Sequence, residues 1–147
     1  MEGVLAVTGT GTYSGDVTCQ QAWAALEADP SAVLVDCRTR AEWVFVGVPD
    51  VSVLGRQTVF VEWVDYPNGA RNPDFVGELR AAGIGDDAPV YFLCRSGQRS
   101  IGAAEAATAA GIGEAYNILD GFEGATDVNG HRGAAGWRAD GLPWTQA

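Results

Sequence analysis

Pro89-Val90-Tyr91-Phe92-Leu93-Cys94-Arg95-Ser96-Gly97-Gln98-Arg99-Ser100 passes from a short apolar run, through a cysteine loop, into an alanine-rich helical run from Ile101 to Ala110. The apolar run does not alternate with polar residues, which is the mark of a strand buried on both faces. The alanine-rich run that follows, closed by Gly111, predicts a helix able to pack closely on a sheet. A strand, a tight loop and a helix start in that order make one half of a parallel α/β unit.

Working outward, the same pattern recurs. Ala32-Val33-Leu34-Val35 predicts a second doubly buried strand, with Asp36-Cys37-Arg38 at its carboxyl end and a short helical turn through Arg40-Ala41-Glu42-Trp43 beyond. Ala115 to Leu119 predicts a last strand, and the alternation of Val59, Val61 and Trp63 predicts another from about Thr58 to Val64. Between these lie helical segments. Thr18 with Gln21 three residues on is a capping box, opening a helix that ends near Asp29-Pro30. Asn72-Pro73-Asp74 opens a helix that runs to about Ala82, with Pro73 at the tolerated first position. Helices alternating with short apolar strands imply an α/β domain of three layers, a mostly parallel central sheet flanked by helices on both faces. In such sheets the ligand crevice lies at the carboxyl ends of the strands. Asp36, Arg38 and the Cys94 loop are all placed there.

The flanks are less regular. Residues 1–17 are glycine-rich and read as a lead-in with a short edge strand at Val4 to Val7. Residues 120–147 are again glycine-rich, with Phe122, Trp137, Leu142 and Trp144 as anchors, and predict a wrap over the domain surface. Tyr66 to Arg71 reads as a surface loop, and Trp43 and Trp63 as core residues. No repeat or linker divides the chain, so 1–147 is expected to form a single domain with its core at about 17–119.

Composition narrows the function. Nineteen acids against nine bases, all arginine, give a net charge of −10, which argues against nucleic acid and anionic membranes as partners. Three cysteines are too few and odd in number for a disulfide scaffold, the absence of any basic residue before Arg38 leads us to expect neither a signal nor a transit peptide, and no apolar run approaches the roughly 20 residues that span a bilayer. A cytoplasmic protein is expected.

Against that acidic background, two arginines beside one cysteine stand out. A loop between strand and helix can turn several N–H groups inward, where the helix dipole adds positive potential. Gly97 permits the tight curvature, and Arg95 and Arg99 add full charges. A thiol in such surroundings is favoured as thiolate, the nucleophilic form. Cys94 is therefore the candidate catalytic residue, in a pocket suited to anions. The chemistries that fit are attack on sulfur, phosphorus or arsenic. Cys19 and Cys37 lack such company and read as structural, with a redox partnership between Cys37 and Cys94 left open.

Val35-Asp36-Cys37-Arg38, Glu42-Trp43, Phe92 to Ser100 and Gly136-Trp137-Arg138-Ala139-Asp140-Gly141-Leu142-Pro143 together resemble, in order, the single-domain rhodaneses, a sulfurtransferase superfamily. The resemblance spans about residues 17–144 and implies a rhodanese-like three-layer fold. It implies a Cys94 persulfide that carries sulfane sulfur from an anionic donor such as thiosulfate to cyanide or a thiol. It also implies substrate binding by Arg95, Ser96, Gly97, Gln98, Arg99 and Ser100, with Asp36, Arg38 and Glu42 bracing the loop by charged hydrogen bonds. It calls for no cofactor and no metal. A persulfide-carrier module serving a protein partner is the second reading. A phosphatase or arsenate reductase is the third, and loop length weighs against it. Cys94 to Arg99 is Cys-x4-Arg, whereas phosphatases of related architecture use a loop one residue longer. In many rhodaneses the turn after the Asp-x-Arg strand carries a His or Ala. Here it reads Gly47-Val48-Pro49-Asp50, so no histidine role is inferred there. The single histidine, His131, falls in the tail and reads as structural or exposed.

Overall fold

Val90–Leu93 forms a strand, β5, in which every residue is buried. Its two faces feed two separate clusters. Val90 and Phe92 join Phe75, Leu79 and Ala103 on one side, while Tyr91 and Leu93 join Leu26, Phe122 and Trp137 on the other. This division explains why the run shows no polar alternation: neither face meets water.

The computed structural model describes residues 13–146. In chain order they form β1 (Gly15–Val17), α1 (Cys19–Ala28), β2 (Val33–Asp36), α2 (Arg40–Phe45), β3 (Val48–Pro49), a short 3-10 turn (Ser52–Leu54), β4 (Val59–Phe60), α3 (Phe75–Ala81), β5, α4 (Arg99–Ala109), β6 (Ala115–Ile118) and β7 (Trp144–Thr145). The central sheet has the order β1-β6-β5-β2-β4 with every pair parallel. α1 packs on one face through Cys19, Ala22 and Leu26. α3 and α4 cover the other through Phe75, Leu79, Ala103, Ala104 and Ala107. The expected α/β architecture is the one observed. β3 and β7 pair separately as an antiparallel ribbon that returns the tail to the body. No helix of the described residues is long and apolar enough to cross a membrane.

Both N-terminal helices begin as the sequence dictates. The Thr18 hydroxyl accepts from Gln21 N–H while the Gln21 side chain accepts from Thr18 N–H, and Thr39 and Glu42 repeat the device on α2. Each such cap contributes about 1 kcal/mol by satisfying otherwise orphaned N–H groups.

Several expectations need correction. The strand expected over 58–64 pairs with β2 only at Val59–Phe60, and Val64 at its far end forms an isolated antiparallel bridge with Arg71. The hydrogen bonds from Val61 N to Asp36 O and Trp63 N to Cys37 O then follow the end of β2 as it turns away. The helix expected to open at Pro73 starts at Phe75 instead, after an Asx turn in which Asn72 Oδ1 accepts from Asp74 N. Gly15–Val17, read as lead-in, pairs with Tyr116–Ile118 as the edge strand. The strand expected at Val4 to Val7 lies outside the described residues.

Candidate active site

The Cys94 loop occupies the carboxyl end of β5, between the carboxyl ends of β2 and β6. α4 begins without a side-chain cap: Gln98 makes no capping hydrogen bond. Cys94 supplies what is missing. Its Sγ accepts from Ser100 N, in the first turn of α4, at 3.3 Å and from Gly97 N at 3.2 Å. The sulfur thus sits where an anion binds at a helix N-terminus, with N–H donors and the helix dipole directed at it. Ser100 Oγ lies 3.1 Å from the same sulfur.

The loop is held from below by the segment that follows β6. Phe122 N donates to Cys94 O at 2.8 Å, and Glu123 N and Gly124 N donate to Arg95 O at 2.9 and 3.2 Å. Two glycines make this contact possible. Gly97 has φ +92, and a Cβ there would stand 2.9 Å from Asp120 N. Gly121 has φ +58, and a Cβ there would run into Cys94 O and lie 2.6 Å from Arg95 C. Neither position has the conformation or the space for a side chain. The residues from 120 onward are therefore more than a wrap: Phe122 and Trp137 are fully buried, and the chain between Asp120 and Gly124 is the floor of the site.

Glu42 reaches the loop from α2. Its two carboxylate oxygens accept from Arg99 Nη1 at 3.0 Å and Nη2 at 2.8 Å, while Oε1 also accepts from Thr39 N. Burial pushes the Glu42 carboxyl up, but the hydrogen bonds from Arg99 and Thr39 and the Arg99 charge outweigh it and hold the group below its ordinary value. Asp36 and Arg38 bond elsewhere. Arg38 Nε and Nη2 grip Asp36, Nη2 also donates to Gly47 O at 2.7 Å, and both side chains are fully buried. Their link to the loop is indirect, through the guanidinium stacked 4.3 Å over the Phe122 ring. Of the three residues expected to brace the loop, only Glu42 makes the charged contact. Asp36 and Arg38 spend their hydrogen bonds on the turn at Gly47.

A cavity of about 560 Å³ opens beside the loop. Arg95, Ser96, Gln98 and Arg99 form the loop's part of its wall, and Cys94, 1% exposed, is enclosed within the loop. The positive charge expected there is compensated. Arg99 pairs with Glu42, Arg95 lies 3.4 Å from Glu123, and Arg132 and Asp65 line the same cavity. Glu123 Oε2 is buried with no hydrogen-bond partner among the described residues. Tyr66, Pro67 and Gly69, from the loop read only as surface, border the opening. His131 is exposed and does not line it.

Cys37 lies one residue beyond the last β2–β5 pair, Asp36 with Leu93, in the same buried cluster as Cys94. Burial, then the neighbouring Cys94 sulfur and the Asp36 carboxylate, push its thiol well above the ordinary value. Cys19 sits under Gly121 and is pushed up to about 12, first by burial and then by Asp140 and Asp120.

The STR4 middle-domain profile matches residues 14–147. Among solved structures, Rv0390 from M. tuberculosis superposes with a TM-score of 0.86 at 61% identity, over 92% of this chain and 99% of that one. A rhodanese-like domain protein from Staphylococcus aureus superposes at 0.53 with 20% identity, over 72% of this chain and 85% of its own. A polysulfide-sulfur transferase from Wolinella succinogenes superposes at 0.59 with 19% identity, over 90% and 78%. The two distant structures share the fold of this chain. The chain belongs to the STR4 middle-domain family and has the rhodanese-like fold.

Proposed function

We propose that the protein is a sulfurtransferase that carries sulfane sulfur on Cys94. The observation that supports this reading best is the sulfur of Cys94 receiving the N–H groups of Gly97 and Ser100 inside a six-residue loop. Those donors stabilise negative charge on sulfur, and they stand ready before any substrate arrives. With thiosulfate as donor, the Cys94 thiolate attacks the outer sulfur. A sulfur–sulfur bond forms, the bond to the sulfonate sulfur breaks, and sulfite leaves with the electron pair. An acceptor such as cyanide or a thiolate then attacks the outer sulfur of the persulfide and returns Cys94 as thiolate. The Wolinella protein of the same fold is a polysulfide-sulfur transferase by name, which is consistent with sulfur as cargo.

A second reading, a carrier that exchanges sulfur with a protein thiol, is supported by the mouth of the cavity. Phe45 is 77% and Tyr66 70% exposed there. Large apolar side chains held open at a site entrance suit a macromolecular surface better than a small anion. Compensation of both loop arginines points the same way, since it removes the attraction that a dianionic donor would use.

Incubation with thiosulfate should add the mass of one sulfur atom to the intact protein, and Cys94→Ser should abolish the gain. Wild type that takes no sulfur from thiosulfate, polysulfide or a persulfidated protein would end this reading.

A further inference from the structure

Behind Cys94 runs a chain of hydrogen bonds whose direction is fixed by chemistry. It starts at Asp16 on β1, whose Oδ1 is 2.9 Å from Tyr13 Oη and 3.0 Å from Asn117 Nδ2. A carboxylate has no proton to give, so both contacts are donations to it. Turning the Asn117 amide over would set its oxygen against the carboxylate, so the nitrogen must face Asp16. The Asn117 oxygen therefore faces Ser100, where it accepts from Ser100 Oγ. A hydroxyl has one proton, and this contact uses it. Ser100 Oγ also lies 3.1 Å from Cys94 Sγ, and on that side it has only lone pairs to offer. Asn117, Ser100 and Cys94 are all buried, at 0, 0 and 1% exposure.

We propose that Asn117, oriented by Asp16, is a positioning residue that turns the Ser100 hydroxyl proton away from Cys94, so that Ser100 receives a hydrogen bond from the Cys94 thiol instead of giving one to its thiolate. The loop then acts on the sulfur with two opposite signs. Gly97 N–H and Ser100 N–H favour the charged form, while the Ser100 oxygen favours the protonated one. To form the thiolate, the protein must either hold a lone pair against it or turn the Ser100 hydroxyl round. Turning it leaves the Asn117 oxygen buried and unpaired. Asn117 and Asp16 thus set how readily the nucleophile is released, without touching it.

The charged and titratable groups around the thiol come from several elements. They are Arg99 on α4, Cys37 and Asp36 at the end of β2, Glu42 through Arg99 from α2, the Arg95–Glu123 pair below, and Asp16 at the far end of the chain. None of these is altered in the variants that test the proposal. The readout is the ultraviolet absorbance of the Cys94 thiolate against pH, each variant measured against its own Cys94→Ser counterpart. It reads the thiol alone, so it stands whether or not the protein transfers sulfur.

Ser100→Ala removes the acceptor of the thiol proton, and the titration midpoint should move toward acid by about half a pH unit, the size of one net hydrogen bond. Asn117→Leu frees the hydroxyl to turn toward sulfur and should move the midpoint in the same direction by a similar or larger amount. Because Asn117 acts through Ser100, the double variant should titrate like Ser100→Ala alone. A midpoint that stays put or moves toward base in Ser100→Ala overturns the proposal, since that is what a hydroxyl donating to the thiolate would produce. Ser100→Ala decides the matter alone if Asn117→Leu does not fold.

Discussion

Glu42 and Arg99, 57 residues apart in the chain, meet fork to fork, each guanidinium nitrogen on its own carboxylate oxygen at 3.0 and 2.8 Å. The pair joins the first turn of α2 to the first turn of α4 and so fixes one side of the Cys94 loop. Glu42 serves two purposes at once, because the same Oε1 closes the capping box with Thr39.

Replacing Glu42 by Gln keeps the side-chain length and an oxygen for Thr39, but takes the charge from the pair. At neutral pH the variant should lose about 1 kcal/mol of stability, the range for a half-buried bidentate pair, and its loop should hold Arg99 less firmly. The pH dependence has a definite sign. The folded carboxyl titrates below its unfolded value, near 4.5. Its contribution is therefore complete above that value and lost as pH falls through the lower folded one. Thermal denaturation of wild type and Glu42→Gln should differ at neutral pH and converge in acid. A gap that persists undiminished at acid pH would show that the charge is not what stabilises the contact.

The loop was legible in the sequence because its chemistry is local: strand, cysteine, glycine, arginines and helix start follow within about a dozen residues. What holds the loop was legible only in part. The resemblance implied that Glu42 braces it by charged hydrogen bonds, but nothing in the spacing says that the partner is Arg99. Asp36 and Arg38 stand at the right end of the right strand, yet their charges are consumed by each other and by Gly47. Gly121, Phe122 and Glu123 lie in a glycine-rich stretch without periodicity, and only the fold reveals that this stretch grips the loop. Asn117 did leave a trace, a lone amide in the apolar run Ala115 to Leu119. A buried strand seldom carries such a residue without a partner for it, and Asp16, the partner, hid in a segment read as lead-in.

The floor of the site makes a sharp stability contrast. Gly121→Ala would force a left-handed backbone on alanine and press its Cβ against Cys94 O and within 2.6 Å of Arg95 C. Backbone cannot step aside as a flexible side chain would, so the cost should reach about 3 kcal/mol or more. At Gly111, with φ +80, a Cβ would meet nothing within 4 Å. Gly111→Ala should cost only the conformational part, about 1 kcal/mol. Urea denaturation of the two variants measures the difference. Equal losses would mean that residues 120–124 do not press on the loop.

The three thiols should separate cleanly by reactivity. Cys19 is pushed up to about 12 by burial and by Asp140 and Asp120, and Cys37 is driven higher than usual by burial, by the neighbouring Cys94 sulfur and by the Asp36 carboxylate. At about pH 8 neither is present as thiolate to any useful extent. Only Cys94 has two backbone N–H groups directed at its sulfur, in a loop that borders an open cavity. Limited treatment of the folded protein with iodoacetamide should therefore modify one residue, Cys94, as peptide mapping would show. In denaturant, where the three environments vanish, all three should react at similar rates. Labelling of Cys37 in the folded state at a rate near that of Cys94 would mean that the end of β2 opens to solvent. Burial at the end of β2 would then not be what protects Cys37.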